Sequence, residues 1–222
     1  MIFSFIFSYS GCSKTPKQES VEIKSEPIEI PKKEHAPKTK SIEIKEKETI
    51  NEKNAIAFLT NYGNQNPETV VRLKTKFGNI IIKLYQETAL HRANFIFLVK
   101  EGYFDTTCFY RVVPDFIIQA GDSENLTTQR MRNQYKNYEL PAEFHPDLKH
   151  TYGAVAAARD WENNPLKKST AFEFYIIQNR QGGHHLDGEH TVFGQVISGF
   201  NVIDKIAIEE AGGDEWPLQD VY

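Results

Sequence analysis

The most informative stretch of the sequence is Phe109-Tyr-Arg-Val-Val-Pro-Asp-Phe-Ile-Ile-Gln-Ala-Gly-Asp122. It is rich in β-branched and aromatic residues, a composition that predicts a strand, a turn and a second strand. Arg111 and Gln119 interrupt this otherwise apolar run. A guanidinium is rarely buried without a partner, which favours an arginine that is paired or directed at a ligand. The alternative is an arginine at the rim of the fold with a solvated head.

The size and charge of the chain exclude some classes of protein. Its 222 residues can hold one domain of ordinary size and a less ordered part. With 26 basic against 30 acidic residues, the net charge is −4, and no sign of nucleic-acid binding is visible. Cys12 and Cys108 lie in different contexts, which argues against a disulfide framework. The adjacent His184 and His185 have no third ligand at suitable spacing, so we expect no metal site.

The first twelve residues resemble a lipoprotein signal. Residues 1–10 are largely apolar, and this run is too short to span a bilayer as a helix. Gly11 and Cys12 follow, and small residues before a cysteine resemble a lipoprotein processing site. We interpret residues 1–12 as a signal and Cys12 as the lipidated first residue of the mature protein. The alternative is an apolar start that stays in place.

Residues 13–53 differ in composition from the rest of the chain. Lys, Glu, Ser, Thr and Pro dominate there, and such a segment cannot bury enough apolar surface to offset the entropy of ordering. We interpret it as a disordered tether that lets a folded domain work at some distance from a membrane. Weak alternation at 42–50 leaves a strand as the alternative. Residues 54–68 are a short extension, in which Gly63 suggests the end of a helix.

The remaining residues, 69–222, have the pattern of one mainly β domain. Helical spacing of apolar residues predicts one helix at 88–101 and another at 200–206. Residues 123–150 are irregular and polar, and we expect a long loop there. Many short strands with only two helices favour a β-barrel or β-sandwich over βαβ units. The predicted strands outside the opening stretch are 70–75, 79–85, 152–159, 172–178 and 191–197.

Several segments of this domain resemble the cyclophilin-type peptidyl-prolyl isomerases. The stretch around Arg111 is similar to the family's signature, in which Phe, any residue, Arg, two aliphatic residues and Pro lead to Phe, Gln and two glycines. Ala120 stands in place of the first glycine. Leu186-Asp-Gly-Glu-His-Thr-Val-Phe-Gly194 resembles a second block of the family. The resemblance, which runs from about Val70 to Tyr222, implies an eight-stranded antiparallel β-barrel capped by two α-helices, with the site on its outer surface.

The resemblance implies an enzyme that rotates the peptide bond before proline. Partial double-bond character gives this bond a barrier of about 18–20 kcal/mol. When the amide twists, conjugation is lost and the prolyl nitrogen becomes a pyramidal hydrogen-bond acceptor. Arg111 matches the family's catalytic arginine, whose guanidinium can donate to that nitrogen only in the twisted form. No proton transfer is needed, and no cofactor is expected.

Other residues match the parts of the family that hold the substrate. Gln119 matches the glutamine that orients the arginine. Ala158 and Arg159 match the strand edge that pairs with the substrate backbone. The implied pocket for the proline ring, with the histidine that lines it, consists of Phe116, Ile117, Tyr175, Leu186 and His190.

Three features of the chain depart from the family. Glu173 stands where many relatives have glutamine, and its carboxylate is expected to pair with Arg111 or Arg159, or to change peptide binding more than chemistry. His185 stands where some relatives have the tryptophan associated with cyclosporin, so we expect weak sensitivity to that drug. The chain stops at Tyr222, where the family continues into a closing strand. This implies a truncated last strand or an edge supplied by a neighbouring segment.

The sequence therefore predicts a bacterial peptidyl-prolyl cis–trans isomerase that assists the folding of exported proteins. Its expected partners are proline-containing polypeptides, and we expect a monomer. Its expected location is extracytoplasmic, in the periplasm, with a lipid anchor on Cys12 as the only link to a membrane. The alternative is a non-catalytic chaperone of the same fold that binds proline-containing segments. Arg111 favours the enzyme, because a binder needs no donor aimed at the amide nitrogen, whereas Glu173 favours the binder.

Overall fold

The structure is a computed structural model that describes residues 49–136 and 138–222. The predicted signal, the lipidation of Cys12 and the predicted tether up to residue 48 lie outside the described residues. Within the part that is described, no helix combines the length and the apolar character needed to cross a membrane.

The described residues form four α-helices, nine strands and two single 3-10 turns. The helices are α1 (Ala55–Gln65), α2 (Ala89–Lys100), α3 (Leu126–Gln134) and α4 (Phe200–Ala207). The strands are β1 (Val70–Thr75), β2 (Gly78–Leu84), β3 (Cys108–Val113), β4 (Ile117–Asp122), β5 (Glu139–Leu140), β6 (Ala154–Ala157), β7 (Ser169–Thr170), β8 (Phe174–Ile177) and β9 (Val192–Ser198). The 3-10 turns lie at Phe104–Thr106 and His184–Leu186.

Antiparallel pairing joins seven strands into one sheet, in the order β1-β2-β9-β6-β8-β4-β3, while β5 and β7 form a separate pair. This confirms the predicted mainly β, antiparallel fold. The counts differ from eight strands and two helices, because α1 and α3 are additional and one strand pair stands apart. Helix α3 forms where a loop was expected. There the Asn125 side chain accepts the Thr127 N–H at 2.8 Å and the buried Thr128 hydroxyl bonds the Thr106 carbonyl at 2.7 Å.

Alternation along the strands separates two apolar faces. In β8, Phe174 and Ile176 belong to the main core, which also contains side chains from α2 and α4. Their neighbours Tyr175 and Ile177 point to the opposite face and join a second buried cluster. The outer face of β4, β6 and β8 is therefore apolar too, although it lies outside the core of the sheet.

The last residues of the chain occupy the edge of β3. The N–H of Phe109 donates to the carbonyl of Val221 at 2.9 Å, and the N–H of Lys76, in the β1–β2 turn, donates to the carbonyl of Tyr222 at 3.0 Å. Because β1 and β3 are the two outer strands of the sheet, these bonds connect its opposite ends. One isolated bridge, between Phe109 and Val221, thus lies at the edge for which either a truncated strand or a neighbouring segment was expected.

Helix α1 and the segment that precedes α1 both pack on α2. Ile50 and Leu59 are fully buried in one cluster with Phe97 and Leu98 of α2. The ring of Phe58 meets that of Phe97 edge-on at 5.2 Å. The tether was predicted to end at residue 53. The packed part of the chain already includes Ile50, however, because the side chain of Ile50 packs against α1 and α2.

Candidate active site

The outer face of the sheet places four residues in a row. Arg111 in β3 is the register partner of Gln119 in β4, which in turn pairs with Tyr175 in β8. Tyr175 also pairs with Ala156 in β6. Neighbouring strands lie about 4.8 Å apart, so roughly 10 Å of sheet separates the backbone of Arg111 from that of Tyr175. A charged donor and an apolar surface therefore lie side by side.

The guanidinium of Arg111 is held by two side chains. Its Nε donates to Oε2 of Glu215 at 2.5 Å, and its Nη1 donates to Oε1 of Gln119 at 3.4 Å, a long bond. The arginine side chain is 35% exposed, so the group still reaches solvent. The glutamine thus touches the arginine that it is predicted to orient.

An apolar patch lies beside the row. Ile117, Tyr175 and Leu186 belong to one buried cluster, and Phe116 packs against it. The ring of His185 stacks on Phe116, with 5.4 Å between ring centroids and 27° between planes. Phe116 is half-buried and His185 exposed, so these two rings form the part of the patch that a ligand can reach.

His190 closes the patch on its other side. Its ring meets that of Tyr175 edge-on at 5.5 Å. Nδ1 lies 3.1 Å from the carbonyl oxygen of Ala157, and since a carbonyl only accepts, Nδ1 carries the proton and Nε2 is an acceptor. Burial lowers the pKa of His190 to about 4, which keeps the ring neutral near pH 7.

Arg159 is engaged by its own neighbours. Its Nε donates to the carbonyl of Glu189 at 2.8 Å, and its Nη2 donates to the carboxylate of the same residue at 2.9 Å. The guanidinium lies 4.1 Å from the ring centroid of Trp161, whose ring is also 5.2 Å from that of His190. Trp161 is 63% exposed, so it adds an accessible aromatic surface next to the patch.

The backbone of Ala158 is hydrogen-bonded within the protein, and its contact with a substrate stays a prediction. Its N–H donates to the carbonyl of Glu173 at 3.0 Å, and its carbonyl accepts the N–H of Thr170 at 2.9 Å. Its N–H is therefore used inside the protein. Among the described residues, the backbone edge that a substrate strand could pair with begins at Arg159.

The expected partners of Glu173 were wrong. Its carboxylate forms a close ion pair with Arg132 of α3, and Arg132 also bonds Asp122 at 2.6 Å. It pairs with neither Arg111 nor Arg159. Helix α3, which was not predicted, explains the difference, because it places the side chain of Arg132 next to Glu173 at the start of β8.

Glu173 reaches the arginine only through other side chains. It accepts the hydroxyl of Tyr110 at 3.0 Å, and the amide of Gln119 bonds the same hydroxyl. Burial, reinforced by the nearby Glu173, raises the pKa of Tyr110, so the phenol stays protonated. Glu173 also lines a groove of about 500 Å³ that lies between α3 and β7.

Comparison with known proteins identifies the family. The model of the cyclophilin type peptidyl-prolyl cis-trans isomerase/CLD family matches residues 70–222. The chain is a cyclophilin. Peptidyl-prolyl cis-trans isomerase ppi1 of Schizosaccharomyces pombe is 34% identical over 150 residues, covering 67% of this chain and 92% of that protein. Peptidyl-prolyl cis-trans isomerase-like 1 of Homo sapiens is 31% identical over 152 residues, covering 68% and 87%.

Solved cyclophilin structures share the fold. A cyclophilin type isomerase of Cryptosporidium parvum, crystallised in the presence of the dipeptide Ala-Pro, matches with a TM-score of 0.57 and 23% identity, over 68% of this chain and 93% of that chain. Cyclophilin AquaCyp293 from Hirschia baltica matches with a TM-score of 0.56 and 19% identity, over 70% and 72%.

Sequence reasoning missed four residues that contact the predicted site residues of this cyclophilin: Tyr110, Arg132, Trp161 and Glu215. Tyr110 reaches the outer face because the register of β3 and β4 shifts between Phe109 and Arg111, where strict alternation would have turned it inward. Glu215 is 104 residues from the arginine that it bonds, so no local pattern joins the two. Of the four, Trp161 was the easiest to recognise from the sequence, because a large aromatic residue in a polar loop is unusual.

Proposed function

We propose that this cyclophilin catalyses cis–trans isomerisation of X–Pro bonds in exported polypeptides while they fold. The observation that carries the proposal is the partly exposed guanidinium of Arg111, which lies beside Gln119 and next to the apolar patch of Phe116. The patch suits a proline ring, and the arginine suits the nitrogen of that ring. The ring and the nitrogen of the same proline would thus be bound at one surface.

The chemistry requires only differential binding. Twisting the imide removes its conjugation, against a barrier of about 18–20 kcal/mol, and gives the nitrogen a lone pair that can accept a hydrogen bond. A cation that donates to this lone pair stabilises the twisted form more than either planar form, and so raises kcat. In this proposal Arg111 supplies that bond, while the neutral His190 adds no charge that would compete with it.

Proline-containing polypeptides are the proposed substrates. The Cryptosporidium parvum relative was crystallised in the presence of Ala-Pro, which supports this class of ligand. In this chain, the free backbone edge at Arg159 would pair with an extended substrate segment. The ring of Trp161 would then lie against the segment next to the proline.

An extracytoplasmic location is part of the proposal. It is supported by the apolar residues 1–10 followed by Gly11-Cys12, a pattern typical of exported lipoproteins of bacteria. Mass spectrometry of the mature amino terminus tests it: acyl chains on Cys12 are expected, and an unprocessed Met1 would refute export by this route.

A protease-coupled assay on a proline peptide tests the activity. The full chain carrying Cys12→Ser, which prevents lipidation, is compared with the same chain carrying Arg111→Ala. Loss of a single donor aimed at developing charge typically costs about 100- to 1000-fold, so we expect a fall of this order in kcat/KM. Arg72→Ala, which removes an exposed arginine of β1, is the matched control and is expected to change nothing. Equal rates for the Arg111 variant and its parent would end the enzyme proposal.

A non-catalytic binder is the second candidate. The observation that favours it is the ion pair between Arg111 and Glu215, because that carboxylate already occupies one of the arginine's donors. The same proteins separate the two functions. A binder would hold the proline peptide with equal affinity in both and would accelerate its isomerisation in neither.

A further inference from the structure

Near its C-terminus the chain forms a small hairpin, residues 211–217, that packs on β3. Its ends are bridge partners, and the N–H of Gly212 donates to the carbonyl of Trp216 at 2.8 Å. The ring of Trp216 lies 5.4 Å from that of Tyr110. The hairpin is therefore stabilised by its internal hydrogen bond and by an aromatic contact with β3, the strand that carries Arg111.

Glu215, in the turn of this hairpin, forms two hydrogen bonds with β3. Its carbonyl accepts the N–H of Val112 at 2.9 Å, and its carboxylate accepts Nε–H of Arg111 at 2.5 Å. Its φ is 67°, in the left-handed region that non-glycine residues rarely adopt. Such a conformation persists only where the surroundings fix it, and it clusters where side chains must be aimed.

We propose that Glu215 is a positioning residue for the catalytic arginine, an inference that rests on the isomerase function proposed above. An arginine side chain has many rotamers, and a single long bond to Gln119 would restrain it weakly. The bond from Nε to Glu215 fixes the plane of the guanidinium. The N–H groups that bond neither Glu215 nor Gln119 are then oriented for the prolyl nitrogen.

Orientation, rather than charge, is what the contact supplies. The side chains of Arg111 and Glu215 are 35% and 42% exposed, and the attraction of ion pairs in such positions is largely screened by water. A neutral glutamine at position 215 would keep an acceptor oxygen for Nε–H. An alanine would keep none.

The test compares Glu215→Ala with Glu215→Gln in the full chain carrying Cys12→Ser. Because misplacing a catalytic group by about 1 Å can cost up to about 100-fold, we expect Glu215→Ala to lower kcat about tenfold while KM for a proline peptide hardly changes. Glu215→Gln is expected to retain most of the rate. Glu210→Ala, which removes an exposed carboxylate five positions away, is the control for loss of charge.

A second variant guards against a folding artefact. Glu215→Gly adopts a φ of 67° without strain, so it preserves the hairpin while removing the carboxylate. It is expected to lose as much activity as Glu215→Ala. Normal activity in Glu215→Gly would show that the alanine variant only disturbs the hairpin, and would overturn the inference.

A double-mutant cycle shows whether Glu215 acts through the arginine. In an Arg111→Ala background, Glu215→Ala is expected to have no further effect, since no guanidinium remains to be oriented. An additive loss, or a rate that rises when Glu215 is removed, would overturn the positioning role. The proposed function fails separately, if Arg111→Ala itself leaves the rate unchanged.

Discussion

The hydroxyl of Tyr175 lies 3.1 Å from Nε2 of His150, a histidine with no exposed surface. Nδ1 of the same ring lies 2.8 Å from the carboxylate of Asp187, which can only accept. Burial lowers the pKa of His150, so the ring is neutral and Nε2 accepts the tyrosine proton. The hydroxyl is thus used in a buried hydrogen bond within the protein.

Tyr175→Phe is therefore expected to affect stability more than catalysis. It leaves Nε2 of the buried His150 without a donor, which costs about 1–2 kcal/mol of unfolding free energy, while the ring that faces the patch is kept. Urea unfolding and the proline-peptide assay measure the two effects. Tyr85→Phe is the control, because among the described residues its hydroxyl has no hydrogen-bond partner. A large loss of rate at unchanged stability would mean that the hydroxyl contacts the substrate.

The buried histidines make stability depend on pH. Burial lowers the pKa of His190 from 6.5 to about 4. Between pH 6.5 and 4, His190 therefore binds a proton in the unfolded chain but not in the folded protein. The free energy of unfolding is thus highest above about pH 6.5 and falls as the pH drops toward 4. A tenfold change in proton affinity corresponds to about 1.4 kcal/mol, so His190 alone contributes up to roughly 3 kcal/mol of this loss.

Unfolding in urea at a series of pH values between 7.5 and 4.5 checks this expectation. His190→Asn, which keeps a donor for the carbonyl of Ala157 but cannot titrate, is expected to flatten the curve. Glu143 and Asp187, whose pKa values are lowered by hydrogen bonds to histidines, add their own loss only at lower pH. A variant curve as steep as that of the parent would assign the pH dependence to other groups.

What the sequence could predict was local. The strand pair around Arg111 follows from the β-branched and aromatic composition of a few residues, and the structure has it. Contacts between distant segments had no such signal. Glu215 and Arg132 lie 104 and 41 residues from their partners, and which basic residue would meet Glu173 depended on α3.

Helix α3 illustrates why the rest was missed. Its sequence is polar, so neither periodicity nor apolar content marked it, and it is held by the capping side chain of Asn125 and by the buried hydroxyl of Thr128. The composition of residues 13–53 also led to a predicted end of the tether that lies beyond Ile50. A lone isoleucine among charged residues looked solvated, but Ile50 is buried once α1 is in place.

Helix α1 is expected to be an integral part of the domain's stability. Leu59 is fully buried against α2, and a leucine-to-alanine change at such a site typically costs about 2–5 kcal/mol. Ile56, in the same helix, is 56% exposed, so Ile56→Ala is the matched control and is expected to stay within about 0.5 kcal/mol. Urea unfolding measures both. Similar values for the two would mean that α1 does not contribute to the folding of the barrel.

His185 offers a gain-of-binding test of the patch. Its ring is exposed and stacks on Phe116. Position 185 is the one at which the family resemblance implies, in some relatives, the tryptophan associated with cyclosporin. The parent protein is expected to be inhibited only weakly. His185→Trp adds apolar area beside Phe116, and an aromatic contact of this kind is worth about 1 kcal/mol or more, so inhibition is expected at roughly tenfold lower drug concentration.

His184→Trp controls for a general effect of an exposed indole. His184 directly precedes His185, but its Nδ1 lies 3.2 Å from the carboxylate of Asp187. The variant is expected to leave both the rate and the inhibition unchanged. If the parent were inhibited at nanomolar concentration, or if both tryptophan variants responded alike, the drug would bind somewhere other than the patch formed by Phe116 and its neighbours.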